Sequence, residues 1–113
     1  SASLLEHFKT ETHYTGITAT NVGFYGPQGR QLRLKTEDST LNHKLETFKH
    51  KGERITNLEM ETSGIYGLST LLGHQALSIN AILANRATGV FSKNPANTVN
   101  QMIIAALDRI ALL

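Results

Sequence analysis

A chain of 113 residues suffices for one domain and one core. Hydrophobic residues make up 40% and charged residues 18%, which fits a globular domain and excludes a disordered one. The formal net charge of +2 is spread along the chain, and its one loose cluster (Lys44, Lys49, Lys51, Arg54) reads as a solvated helix face rather than a nucleic-acid patch.

There is no cysteine, so there is neither a disulfide framework nor a thiolate metal site, which is compatible with a cytoplasmic location. The N-terminus, SASLLEHFKT, lacks the basic and apolar regions of a signal peptide. Thr62 to Asn85 carries no Asp, Glu, Lys or Arg, yet Gly73-His74-Gln75 interrupts it and Ser, Thr and Asn dilute it, so it is not expected to cross a membrane.

In chain order, Leu4 to Lys9 reads as the end of a helix. Tyr14 to Val22 alternates and is rich in Thr and Ile, which predicts a strand. Gly23 to Arg30 holds three glycines and a proline, so it is a loop. A helix capped by Ser39 or Thr40 is expected through Lys51, with Gly52 just past its end. Arg54 to Leu58 reads as a short strand. Glu59 to Leu72 has Ile65, Leu68 and Leu72 at helical spacing, with Gly73 ending the helix. The apolar run Ala76 to Ala84 predicts a strand buried on both faces of a parallel sheet. Asn94 as N-cap and Pro95 at the first helical position open a last helix, with Val99, Ile103, Ala106, Ile110 and Leu113 as its apolar stripe.

This alternation predicts an α/β layer structure. A three-stranded piece supplies too few neighbours for so apolar a central strand. The chain is therefore expected to be part of a longer polypeptide or to be buried against another chain.

Short catalytic motifs are absent: there is no GxxxxGK[ST] and no HExxH, and the five histidines lack metal-ligand spacing. Gly23-x-x-Gly26-x-x-Gly29 is not the dinucleotide fingerprint, because no clear helix follows it. Three segments place polar groups where strands or helices end. In Phe24-Tyr25-Gly26-Pro27-Gln28-Gly29-Arg30, a ring, an amide with donor and acceptor, and a guanidinium fork suit a planar polar ligand, though a plain structural turn accounts for them equally. In Asn57-Leu58-Glu59-Met60-Glu61, a helix start favours ionised carboxylates that accept from sugar hydroxyls; ordinary first-turn acid preference is the competing account. Asn85-Arg86 follows the apolar strand, where open α/β sheets bind ligands and where surface arginines also form ion pairs.

Taken in order, Gly23-Phe24-Tyr25-Gly26-Pro27-Gln28-Gly29-Arg30, Ile55-Thr56-Asn57-Leu58-Glu59-Met60-Glu61 and Ala81-Ile82-Leu83-Ala84-Asn85-Arg86 resemble the nucleoside phosphorylase family, and within it the uridine phosphorylases. The resemblance runs from about His13 to the C-terminus. It implies a three-layer α/β/α domain with a mixed, mostly buried sheet, of which residues 1–113 are the C-terminal portion. It implies phosphorolysis of uridine to uracil and ribose 1-phosphate, with orthophosphate as co-substrate, no cofactor and no metal, in a cytoplasmic homo-oligomer built from dimers.

Residue by residue, the resemblance implies that Phe24 stacks on the base and that Gln28 and Arg30 bond the uracil edge. Met60 packs on the ribose, Glu61 accepts from a ribose hydroxyl, Glu59 supports the site, and Arg86 holds the Arg30 side. Purine-specific relatives carry an acid near the position of Asn85. The phosphate-binding glycines and arginines of the N-terminal half are not in this sequence, so these residues alone are expected to lack phosphorolytic activity. A purine nucleoside phosphorylase, a nucleosidase of the same fold and a non-catalytic binding remnant are the alternatives.

Overall fold

The computed structural model describes all residues, Ser1–Leu113. Its elements are α1 (Ala2–Phe8), β1 (Ile17–Thr20), a single 3-10 turn (Gly26–Gln28), α2 (Leu41–Thr47), β2 (Lys49–His50), β3 (Glu53–Glu59), α3 (Thr62–Leu71), β4 (Ala84–Asn85), β5 (Val90–Phe91) and α4 (Pro95–Ile110). The architecture is mixed α/β.

β3 is the centre of a three-stranded sheet of order β1-β3-β2. β1 runs parallel to β3, with Thr18 opposite Asn57 and Thr20 opposite Glu59, and β2 pairs with β3 in antiparallel fashion. The Thr18 hydroxyl donates to Asn57 Oδ1 at 2.7 Å, tying the two parallel strands on one face. β4 and β5 form a separate two-stranded hairpin. α4 begins as its sequence dictates: the Asn94 side chain accepts from Asn97 N, and Pro95 occupies the first turn, where a missing N–H leaves nothing unpaired. α1 meets α4, and His7 Nε2 lies 2.7 Å from the Arg109 carbonyl oxygen.

Three expectations are corrected. Ala76 to Leu83 is not a strand, and only Ala84 of the expected run lies in one, β4. A strand exists only with a ladder partner, and residues 76 to 83 have none. The segment is held instead by single bonds, the terminal ammonium of Ser1 to Ala76 O and Ser78 N to the Tyr66 hydroxyl, at 2.8 and 2.9 Å. The helix expected through Lys51 stops at Thr47, because Lys51 (φ 51°) and Gly52 (φ 85°) form a two-residue hairpin bend with both φ positive, which turns Lys49–His50 back onto β3. Glu59 closes β3 rather than opening α3, and Glu61 takes the N-cap position.

The sheet is mixed, as expected, but not mostly buried. β1 is half-buried, and β2 is exposed throughout. Only Gln28 and Thr62 are buried, and no hydrophobic side chain is. The accessible surface is 8938 Å², against about 6,100 Å² for a compact monomer of this mass. The radius of gyration is 15.7 Å, against about 13 Å for a compact domain of this length. On α3, Ile65, Leu68, Leu71 and Leu72 face outward, and on α4 so do Ile103, Ile104, Leu107 and Ile110.

Candidate functional site

β1 and β3 point the same way, so the loops that leave Thr20 and Glu59 start side by side at the carboxyl ends of two parallel strands. In open α/β sheets this is where ligands bind. Asn21 N donates to Glu59 O at 2.8 Å and extends the pairing by one residue before the chains diverge.

The loop after β1 folds around Gln28. Pro27 suits the 3-10 turn because its φ is already set, and Gly29 closes it at φ 71°. A Cβ at Gly29 would run into the Asn42 side-chain amide, which itself reaches the Gly29 carbonyl at 3.3 Å. Gly29→Ala is therefore expected to destabilise the intact protein by about 1–2 kcal/mol from the left-handed backbone alone. Denaturant unfolding of Gly29→Ala and of Gly29→Ala/Asn42→Gly checks this. The double variant should recover only the part due to the collision.

Gln28 is 3% exposed. Arg86, delivered by the β4–β5 hairpin loop, donates through Nη1 to the Gln28 carbonyl and through Nη2 to its side-chain Oε1. Arg30 Nη1 donates to the same Oε1 at 2.7 Å and also to Phe24 O. Two cations on one oxygen fix the orientation of the amide, because the flipped amide would point N–H groups at guanidinium donors. Nε2 then has no partner in the protein and is not sealed from solvent. Gln28 thus presents donors only. The acceptor that the sequence offered is consumed by Arg30 and Arg86.

The Arg30 guanidinium lies over the Phe24 ring, 3.7 Å from its centroid, and Tyr25 packs edge-on against Phe24 at 5.2 Å. One face of Phe24 is therefore covered by Arg30, and the ring is 51% exposed. Desolvation, followed by repulsion from Arg30, pushes the Arg86 guanidinium down from its ordinary value. The two cations tolerate each other because Gln28 Oε1 sits between them.

The segment Glu59-Met60-Glu61 forms a second cluster. Glu59 Oε2 accepts from Glu61 N and Thr62 N at 2.6 and 2.7 Å, and Oε1 accepts from the Thr20 hydroxyl. The Thr20 oxygen in turn accepts from Ser63 N at 3.0 Å. The exposed amides at the start of α3 are thus met by a carboxylate and a hydroxyl from the strand ends. Met60 is 40% exposed. Glu61 turns its carboxylate back toward Met60 N at 3.2 Å, leaving the group open to solvent.

For Glu59, burial acts to raise the pKa, but the bonds from Thr20, Glu61 and Thr62 outweigh it and bring it to about 2. A carboxyl depressed on folding stabilises the fold above its unfolded value near 4.5 and loses that contribution as pH falls toward 2. A ¹³C-carboxyl titration of the intact protein is expected to leave the Glu59 signal unmoved down to about pH 3. A midpoint near 4.5 would contradict the bonding described.

The structure brings Phe24, Gln28, Arg30 and Arg86 into mutual contact. Glu59, Met60 and Glu61 stand together at the neighbouring strand end. An open hollow of about 330 Å³ borders Tyr25 and Arg30, and another of about 340 Å³ borders Thr20, Thr62 and Tyr66. Neither is lined by both clusters. Sequence reasoning missed Thr20 and Thr62. Their roles follow from the β1–β3 register, which no local spacing announces. No group of three or more His, Cys, Asp or Glu side chains stands close enough to hold a metal, and no helix is long and apolar enough to cross a membrane.

No protein-family model matches the chain, and no solved structure matches it. It is similar to the uridine phosphorylase of Thermococcus kodakarensis, 33% identical over 81 residues that make up 72% of this chain and 28% of that protein. It is also similar to a DeoD-type purine nucleoside phosphorylase of Vibrio vulnificus, 40% identical over 60 residues, 51% of this chain and 25% of that protein. The chain thus spans about a quarter of the length of the curated relatives it matches. What these relatives share is nucleoside phosphorylase activity at large, and it is to that class of enzyme that the chain is similar.

Proposed function

We propose that this chain is the base- and ribose-holding portion of a pyrimidine nucleoside phosphorylase, which converts uridine and orthophosphate to uracil and ribose 1-phosphate. On this reading it belongs to a three-layer α/β/α domain in a cytoplasmic homo-oligomer built from dimers, and works without a cofactor. The observation that carries the reading is the amide of Gln28, whose Oε1 is taken by Arg30 and Arg86 while its Nε2–H groups have no partner in the protein. A pyrimidine dione offers carbonyl oxygens, which need donors.

The chemistry agrees with that placement. As the N-glycosidic bond breaks, negative charge grows on the leaving uracil and positive charge on the ribose. Donors fixed in advance around the base oxygens stabilise this distribution more than the ground state. Glu61, exposed at the tip of α3, would accept from a sugar hydroxyl on this reading. Phosphate, on this reading, is held by residues outside this sequence, so the reaction needs the intact protein.

The similarity to a purine nucleoside phosphorylase favours a purine substrate as the second reading. Asn85 speaks against it. Its Oδ1 accepts from Ala87 N and Thr88 N at 3.0 and 3.2 Å and braces the β4–β5 bend. A carboxamide is too weak an acid to transfer a proton to a purine nitrogen, the role that the resemblance gives to the acid near this position in the purine-specific relatives. The test is release of free base by the intact protein with phosphate. Uracil from uridine is the expected product; cleavage of inosine alone would overturn the pyrimidine assignment, and turnover independent of phosphate would make the enzyme a nucleosidase.

A further inference from the structure

Beyond Arg30 the chain makes a second arch. Gln31 Nε2 donates to the Thr36 hydroxyl at 3.1 Å, and that hydroxyl donates to Asp38 O at 3.2 Å, so residues 31 to 36 are closed into a loop. Beneath it lies the open hollow of about 330 Å³, lined by Arg30, Arg33 and Lys35 together with Tyr25, Leu32 and Leu34.

The charge of this hollow is one-sided. No acid lines it. Neither Arg33 nor Lys35 has an ion-pair partner, since the chain's two ion pairs are Lys9–Glu6 and Lys44–Asp38. Two carboxylates follow Lys35 in sequence: Glu37 is exposed, forms no ion pair and does not line the hollow, and Asp38 is engaged by Lys44 at 2.7 Å and by the amide and hydroxyl of Thr40. Three cations therefore border one concavity, Arg33 and Lys35 without partners and Arg30 shared with the Phe24–Gln28 cluster, and they repel one another unless an anion lies between them. Arginine's planar fork and the lysine ammonium together suit a tetrahedral dianion.

We propose that the Arg30–Arg33–Lys35 hollow binds a phosphate dianion, either free or carried as the phosphoryl group of a nucleotide. Arg33 and Lys35 lie outside the Phe24–Arg86 cluster, with which the hollow shares Arg30, and the proposal holds whichever base that cluster takes.

The experiment is calorimetric titration of the intact protein with potassium phosphate, uridine 5′-monophosphate and uridine, at constant ionic strength. Arg33→Gln/Lys35→Gln is compared with the charge-keeping Arg33→Lys/Lys35→Arg. Each cation lost is expected to weaken phosphate binding about fivefold, so the glutamine pair should lose on the order of 25-fold while the charge-keeping pair stays near wild type. Uridine binding should be unchanged in both, which reports that the fold and the base cluster are intact. If free phosphate is the ligand, it loses affinity in the glutamine pair. If a nucleotide is the ligand, the monophosphate binds more tightly than uridine, and that advantage disappears in the glutamine pair. Equal phosphate and monophosphate affinities in wild type and the glutamine pair would overturn the proposal. Loss of uridine binding by wild type would instead count against the proposed function.

Discussion

Arg30→Ala is expected to lower kcat/KM for uridine phosphorolysis by about a hundredfold or more, the usual effect of losing one preorganised donor to a developing anion. Arg30 holds three things at once: the Phe24 carbonyl, Gln28 Oε1, and one face of the Phe24 ring. Its removal takes away a charged donor beside the leaving group and also releases the ring against which a base would stack. The fold should survive, because Arg86 still occupies both the Gln28 carbonyl and Oε1. The loss should therefore fall mainly on the chemical step, with kcat reduced alongside kcat/KM and thermal stability little changed. Arg30→Lys should recover only a small part. A lysine keeps the charge, but it cannot both stack on Phe24 and donate in two directions. Steady-state kinetics of the intact enzyme decide the matter; a kcat/KM within threefold of wild type would remove Arg30 from the site.

The second large effect concerns folding. The 113-residue chain by itself is expected to show no cooperative thermal transition and to bind a hydrophobic dye at room temperature. Cooperative unfolding rests on apolar area withdrawn from water, and here no hydrophobic side chain is buried. The accessible surface exceeds that of a compact monomer by roughly 2,800 Å², an area on the scale of obligate interfaces. The outward-facing leucines and isoleucines of α3 and α4 belong to that excess, as does the unpaired run Ala76–Leu83. Scanning calorimetry checks this. A sharp endotherm whose calorimetric and van't Hoff enthalpies agree, recorded on the chain alone, would show that it has a core of its own.

The same observation explains what was legible in the sequence. Elements fixed by local chemistry are readable: α4 from its Asn94-Pro95 start and apolar stripe, the Gly/Pro loop from Gly23 to Arg30, and a strand within Tyr14–Val22, of which Ile17–Thr20 forms. Elements fixed by partners are not. Ala76 to Ala84 has the composition of a central strand, but a strand is a pairing, and this chain offers residues 76 to 83 no edge. α2 was read too long because Lys49 and Lys51 suit a helix end as well as a hairpin, and the positive φ of Lys51 decides between them.

The site divides in the same way. Phe24, Gln28 and Arg30 lie close in sequence, so their grouping could be read directly. The state of the Gln28 amide could not, because Arg86 lies 58 positions away. Thr20 escaped notice because its link to Glu59 comes from strand register.

The two clusters hang from different strands, and this has an evolutionary consequence. Residues 21 to 30 descend from β1 and, on the proposed reading, would read the base; residues 60 and 61 descend from β3 and would face the sugar. The parallel pairing from Ile17 to Thr20 keeps their roots in place whatever either loop becomes. A lineage could therefore rewrite one loop without disturbing the root of the other. Enzymes named for uridine and for purines, both similar to this one chain, are what such independent inheritance would leave behind.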